Sequence, residues 1–380
     1  MVSVPTTKKI DSILTHKFWG YVFLAFVIWL MFYSTFYIGE YPMQWMQAGF
    51  DWLSQLAHTK LPDGVISDLI SYGIIQGVGG VAIFLPNIII LFFFISLMEA
   101  TNYMSRVAWL MDNLMHKIGL HGKSFVPMIM GFGCNVPAIM ATRSIENKKD
   151  RLLTMLIIPF MSCSARLPVY ILLIGTFFPK YPVLVLCILY LFGVILAILF
   201  AIVFKRTIIK TLSTEYEILL PQYKIPTWRS IKPIIWFNTK DYLKKIAGIV
   251  LIASVIIWFL FNYPNPHDTG NSFISYIGKF IEPILLPIGF DWKMGIGLLA
   301  GISAKELIVS TISVLAPTFT IASAASFLAF VLIYFPCIAV FAVVWKESGK
   351  LRWAIFLALY TTILAWIIAF LVYNIALWII

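Results

Sequence analysis

Of the 380 residues, 61% are hydrophobic and only 12% charged, whereas about a quarter of the residues in a soluble domain carry charge. Successive apolar runs of about 20 residues, enough to span a bilayer, define an all-α polytopic membrane protein instead. The net charge of +11 is then a topology signal under the positive-inside rule and not a nucleic-acid footprint. All four cysteines (Cys134, Cys163, Cys187 and Cys337) lie in apolar segments, which argues for buried thiols or metal ligands over a disulfide framework.

Residues 1–17, with Lys8, Lys9 and Lys17, form a cytoplasmic N-terminal segment. The apolar run Phe18–Gly39 is too long for a signal-peptide core and is a retained first membrane helix. Residues 40–76 set Glu40, Asp51, Asp63 and Asp68 against Lys60, an outer pattern, and Trp45 and Trp52 suit an interfacial belt. Gly77–Met98 crosses inward to Glu99, and residues 100–123 carry Arg106, Lys117 and Lys123 on the inner surface. Gly122-Lys123-Ser124 lacks the glycine that a phosphate loop needs five residues earlier, so it is the start of a helix. No bound nucleotide is expected in this chain.

Phe125–Thr142 is short for a span, and both of its flanks are basic, so it is expected to enter and leave on the inner side as a re-entrant hairpin. Leu152–Phe177 then crosses outward and Pro182–Phe204 returns. Residues 205–245 carry nine Lys and Arg against three acids and form a cytoplasmic loop between two halves, 18–204 and 246–380. In the second half Ile246–Phe261 runs outward and 262–291 is an outer segment. Charge counting makes residues 295–317 a second broken hairpin with the C-terminus outside, the alternative being a full crossing that puts the C-terminus inside, and Ile321–Val344 and Trp353–Ile380 are spans. One broken hairpin per half, entered from opposite sides, is the inverted-repeat plan of secondary transporters.

Two stretches are broken at mid-depth by the same ingredients: Gly131-Phe-Gly133-Cys134-Asn135-Val-Pro137 and Pro159-Phe-Met-Ser162-Cys163-Ser164-Ala-Arg166-Leu-Pro168. Proline inside a helix removes a donor and clashes with the carbonyl four residues back. Within a membrane, such backbone is tolerated only where it is buried in protein or lines a polar cavity. Pro137, Pro159 and Pro168 are therefore expected to free the carbonyls of Gly133, Met155 and Ser164, with Asn135, Ser162 and Ser164 adding side-chain oxygens. Cys134 and Cys163 are expected to face one cavity near mid-membrane, where soft sulfur favours a transition metal over Ca²⁺ or Mg²⁺. Arg166 lies too deep to reach the interface and is expected to pair with Glu306 or Glu99 or to order the broken backbone. Cys187 has no polar company and is expected to pack.

The strings GFGCNVPAIMATR and PFMSCSARLPVY resemble the two gate motifs of the ferrous iron transport protein B (FeoB) family. IDSILTHKFWGYVFL, YMSRVAWLMDNL, GLLAGISAKELIVST, FPCIAVFAVVWKESG and the C-terminal WAIFLALYTTILAWIIAFLVY are similar to that family as well. Together they cover roughly residues 10–375. The resemblance implies a gated permease of the bacterial cytoplasmic (inner) membrane that takes Fe²⁺, its transported substrate, into the cell. On that resemblance no enzymatic activity is expected. Cys134 and Cys163 are implied metal contacts, and Cys337 after Pro336 is similar to a family cysteine. Gly131, Gly133, Asn135, Pro137, Pro159, Ser162, Ser164, Arg166, Pro168 and Glu306 form the implied gate. A permease for nucleosides, another small solute or another divalent metal is the alternative. The family's GTPase domain, with its phosphate loop, is not found in these residues. Expected partners are therefore a GTPase domain or separate G protein, a small cytoplasmic accessory protein, the lipid bilayer and further copies of the chain. Ala100 and Val340 depart from the family pattern.

Overall fold

The computed structural model describes residues 4–60, 64–207, 221–264 and 272–379, and every regular element among them is helical. Among the described residues six helices are long and apolar enough to cross a membrane, or seven if the pair Phe273–Ile288 and Trp292–Ser303, bent by 106°, is one span. The protein is thus a multi-pass helical membrane protein, as its composition requires. Part of the expected inner loop (208–220) and part of an outer segment (265–271) lie outside the described residues, as does Asp63.

Two compact units interleave along the chain. The first comprises residues 1–45, 84–161 and 194–244, and the second comprises 46–83, 162–193 and 245–380.

In the first unit, the helices Phe125–Met130 and Asn135–Ala141 are joined by a turn at 131–133 and form the expected hairpin. Its two ends meet. The Lys123 ammonium donates to the Glu146 carboxylate at 2.8 Å, and the Thr154 hydroxyl donates to that of Ser124 at 2.9 Å. A segment pinned by residues on both of its flanks returns to the side it left. The start at Gly122–Ser124 is a single 3-10 turn, so the glycine–lysine–serine run opens a helix. The same unit holds the helix Val4–Leu14, fixed by a bidentate pair. Arg106, 1% exposed, donates from Nε and Nη2 to the Asp11 carboxylate at 3.1 and 3.3 Å, and the Tyr223 hydroxyl donates to the same group at 2.8 Å.

In the second unit, the helices Trp292–Ser303 and Leu307–Leu315 are separated by a break at 304–306, again a broken hairpin. Asp291 starts it by accepting from the Met294 amide at 2.7 Å, satisfying one of the orphan donors at a helix N-terminus. The buried helix Ile321–Ile333 packs along Leu351–Ile379. The Ser326 hydroxyl bridges the carbonyls of Ile288 and Ala369 at 2.9 and 3.0 Å, a polar clamp in an apolar interior.

Two segments differ from the sequence reading. The expected span Ile246–Phe261 is the second half of a 35-residue helix, Trp228–Asn262. Residues 228–245 are polar but free of glycine, so a helix with a wet face continues where composition suggested a loop. The span Ile321–Val344 lies within the membrane-length run Ile321–Ser348, but its helix is interrupted. It stops at Ile333 and restarts at Ile338, with residues 334–337 extended between them.

Candidate functional site

Three of the four cysteines occupy the same local position. Cys134 is the residue before the helix Asn135–Ala141, Cys163 before the 3-10 turn Ser164–Arg166, and Cys337 before the helix Ile338–Ser348. Each has extended backbone: φ/ψ are −150°/127°, −72°/160° and −57°/154°. Each is partly accessible, neither sealed in the core nor on the outer face. The extended residue ends one helix and caps the next, placing a sulfur at a discontinuity inside an apolar segment. Cys187, the sixth residue of Pro182–Thr207, is exposed and has no such break.

The prolines act differently from the expectation that they free carbonyls inside continuous helices. Pro137 is the third residue of Asn135–Ala141, and Pro168 is the second of Leu167–Phe177. Both stand in a first helical turn, where a missing N–H costs nothing. Pro159 lies in the 3-10 turn Ile158–Phe160 that closes Lys148–Ile157. The prolines therefore restart or tighten helices around each break, and the extended residues carry the irregular backbone.

The break in the first unit is tightly enclosed. A Cβ on Gly131 would lie 2.8 Å from the Met161 Cβ and 3.0 Å from the Met128 carbonyl, so only glycine fits there. Gly133 packs on Leu91. Asn135 is 4% exposed, and its Oδ1 is buried with no hydrogen-bond partner among the described residues. A native interior seldom leaves a buried acceptor unsatisfied, and one that persists calls for an explanation.

The second unit brings three breaks together. The Ser162 hydroxyl is buried and hydrogen-bonded to the Tyr170 hydroxyl at 2.9 Å. Arg166 is 1% exposed. Lys305, 2% exposed, sits in the 304–306 break and reaches the 334–337 break. Its ammonium donates to the Phe335 carbonyl at 2.7 Å and lies 3.3 Å from the centre of the Tyr334 ring. Cys163, Cys337 and Arg166 are all within electrostatic reach of Lys305. Half-buried Glu306, which with Glu99 was one of two partners expected for Arg166, interacts electrostatically with its chain neighbour Lys305. Gly301 lets the Tyr334 hydroxyl and the Ile308 side chain close over the helix, since a Cβ there would collide with both.

Among the described residues, no group of three or more His, Cys, Asp and Glu side chains converges on one point. The described thiols thus form no closed cage. The sequence reading missed Lys305, Tyr334 and the break at 334–337. Two signals were present: a lysine in the middle of an apolar segment, which is expensive unless it has a task, and a proline directly before Cys337.

The Gate family model, described as nucleoside recognition, matches residues 81–177 and 243–351. A second model, the ferrous iron transport protein B C terminus, matches residues 186–236. Three curated relatives each align with 97% of this chain. An Fe(2+) transport protein A/Fe(2+) transporter FeoB fusion protein of Porphyromonas gingivalis is 45% identical, with 51% of its length covered. The Fe(2+) transporter FeoB of Campylobacter jejuni is 43% identical, with 65% covered. That of Staphylococcus aureus is 41% identical, with 59% covered. The chain therefore spans between half and two thirds of the length of these relatives. No solved structure matches it.

Proposed function

This chain belongs to the FeoB family as a membrane domain, and on that premise we propose that it passes Fe²⁺ inward across the bacterial cytoplasmic membrane, with Cys134, Cys163 and Cys337 as contacting thiols. The observation that carries this reading is the repeated placement of a cysteine as the extended residue of a helix break. Hydrocarbon offers a desolvated ion no ligands, so a path must supply them from irregular backbone and polar side chains. Sulfur shifts the preference toward transition metals. Asn135 Oδ1 adds an oxygen that nothing else uses. A conducting site must also release its ion, which suits isolated thiols better than a tetrathiolate cage.

The chain transports and does not catalyse. Gradient-driven passage, or coupling to a GTPase domain or separate G protein, supplies the energy. The fusion of an Fe(2+) transport protein A to the Porphyromonas relative supports a small accessory partner, and self-association of the chain completes the proposed set. The description of the Gate model favours one second reading, a nucleoside permease.

Anaerobic uptake of Fe²⁺ into proteoliposomes tests both readings, with Mn²⁺, Zn²⁺ and nucleosides as competitors. We expect Fe²⁺ uptake that nucleosides leave unchanged. Serine at Cys134, Cys163 or Cys337 should each lower uptake at least about tenfold, since the soft donor is lost while size is kept. Wild-type uptake by the triple serine variant would remove the thiols from the path. Nucleoside uptake without Fe²⁺ uptake would replace the substrate.

A further inference from the structure

The second unit already contains a cation where an ion path needs one. Lys305 is buried, and the groups that meet its ammonium are a carbonyl and an aromatic ring. It takes the carbonyl of Phe335 at 2.7 Å and the face of Tyr334 at 3.3 Å. A backbone carbonyl at a helix break and a π face are the groups that bind a dehydrated cation. Phe335 stands two residues before Cys337, and Cys163 is within electrostatic reach of the same ammonium. Arg166 adds a second buried cation to this cluster.

We propose that Lys305 is a resident cation, occupying the Phe335 carbonyl and the Tyr334 ring when no ion is present and giving them up to the transported divalent cation. This rests on the reading that Cys163 and Cys337 face the ion path. A tethered ammonium does two things for such a site. It satisfies the carbonyl of the 334–337 break in the empty state, so the break persists without an ion. It also competes with the arriving ion and repels it, which keeps binding weak enough for release. Lys305 thereby sets the balance between affinity and turnover without being a ligand.

Removing the positive charge should therefore tighten binding and slow release. The test uses the purified chain in lipid nanodiscs, titrated anaerobically with Co²⁺, alongside Fe²⁺ uptake in proteoliposomes. Lys305→Gln keeps a donor for the Phe335 carbonyl but loses the charge, Lys305→Met loses both, and Lys305→Arg keeps the charge. We expect Co²⁺ to bind the Gln and Met variants at least about tenfold more tightly than wild type, the scale of one like charge removed beside a divalent ion. KM and kcat for Fe²⁺ uptake should fall together in these variants, and Lys305→Arg should remain near wild type. If Lys305 only braces the fold, Lys305→Gln will bind Co²⁺ with wild-type or weaker affinity, and that result overturns the proposal. Should Lys305→Met fail to fold, the Gln variant alone decides. The sulfur-to-cobalt charge-transfer band separates this from the thiol reading. Co²⁺ binding with no such band refutes the cysteine contacts. Tighter binding in the Gln variant still identifies Lys305 as the competing cation.

Discussion

The breaks of the two units use one sequence device in opposite electrostatic settings. In the first, Cys134 follows a glycine turn sealed by Met161 and Leu91, and Asn135 Oδ1 is left unsatisfied. The charges of that hairpin sit at its mouth, where Lys123 meets Glu146. In the second, charge is inside: Arg166 and Lys305 are buried beside Cys163 and Cys337, and the hydroxyl of Ser162 is satisfied by Tyr170. A cysteine before a helical turn therefore does not define a site by itself. What surrounds it decides whether the break waits with an empty acceptor or is already filled by a cation.

The largest expected effects come from filling the space each break depends on. Gly301→Ala places a methyl against the Tyr334 hydroxyl and the Ile308 side chain. It should cost about 3 kcal/mol, the upper end for overpacking a core, and move Tyr334 from Lys305. Gly131→Ala meets the Met161 Cβ and the Met128 carbonyl less closely, at 2.8 and 3.0 Å, and should cost about 2 kcal/mol. Thermal unfolding of both variants in detergent checks the order. Equal midpoints would mean that the two breaks are packed alike and that the contrast lies in charge alone.

A second pair separates stability from transport. Ser162→Ala strips a partner from the buried Tyr170 hydroxyl and also from Tyr190. An orphaned buried donor costs about 1–3 kcal/mol, so the variant should melt earlier. Asn135→Leu removes an acceptor that has no partner among the described residues, so it should leave the midpoint unchanged or raise it while lowering Fe²⁺ uptake severalfold. A drop in the Asn135→Leu midpoint comparable to that of Ser162→Ala would show that Asn135 is a structural residue.

How far the sequence carries depends on which force places each residue. Six of the seven expected spans and the first hairpin were legible because hydrophobic length and flanking Lys/Arg act locally, and Lys123 and Glu146 close the hairpin as the charge pattern requires. The glycine and proline breaks at 131–137 and 159–168 were legible as well, because those residues restrict the backbone wherever they stand. The break at 334–337 was not, since one proline in an otherwise unbroken apolar run equally suits a kinked span. Lys305 was missed for a different reason. Its partners, the Phe335 carbonyl and the Tyr334 ring, lie about thirty residues away in the sequence, and no periodicity connects them. Arg166 was read as needing a partner because a buried guanidinium is costly anywhere in a membrane, but which groups answer it is a tertiary fact.

The smallest effect expected concerns the mouth of the first hairpin, where its charge is concentrated. His121 caps the 3-10 turn before the hairpin by accepting from the Lys123 amide through Nδ1 at 3.1 Å, which requires a ring unprotonated at that nitrogen. Burial pushes the imidazole pKa down; Asp112 and Asp150 oppose this, while Lys123 and His116 reinforce it. A histidine with a folded pKa below its unfolded value of about 6.5 contributes its stability in full above that pH. The contribution is lost as the pH falls from there toward the depressed folded value. Wild type should therefore show a shallow decline in unfolding midpoint below about pH 6.5 that His121→Asn lacks, because asparagine caps without titrating. The difference should be no more than about 1 kcal/mol, the ordinary worth of a helix cap. An identical decline in the Asn variant would assign it to another group and leave the first hairpin insensitive to pH at its mouth as well as in its interior.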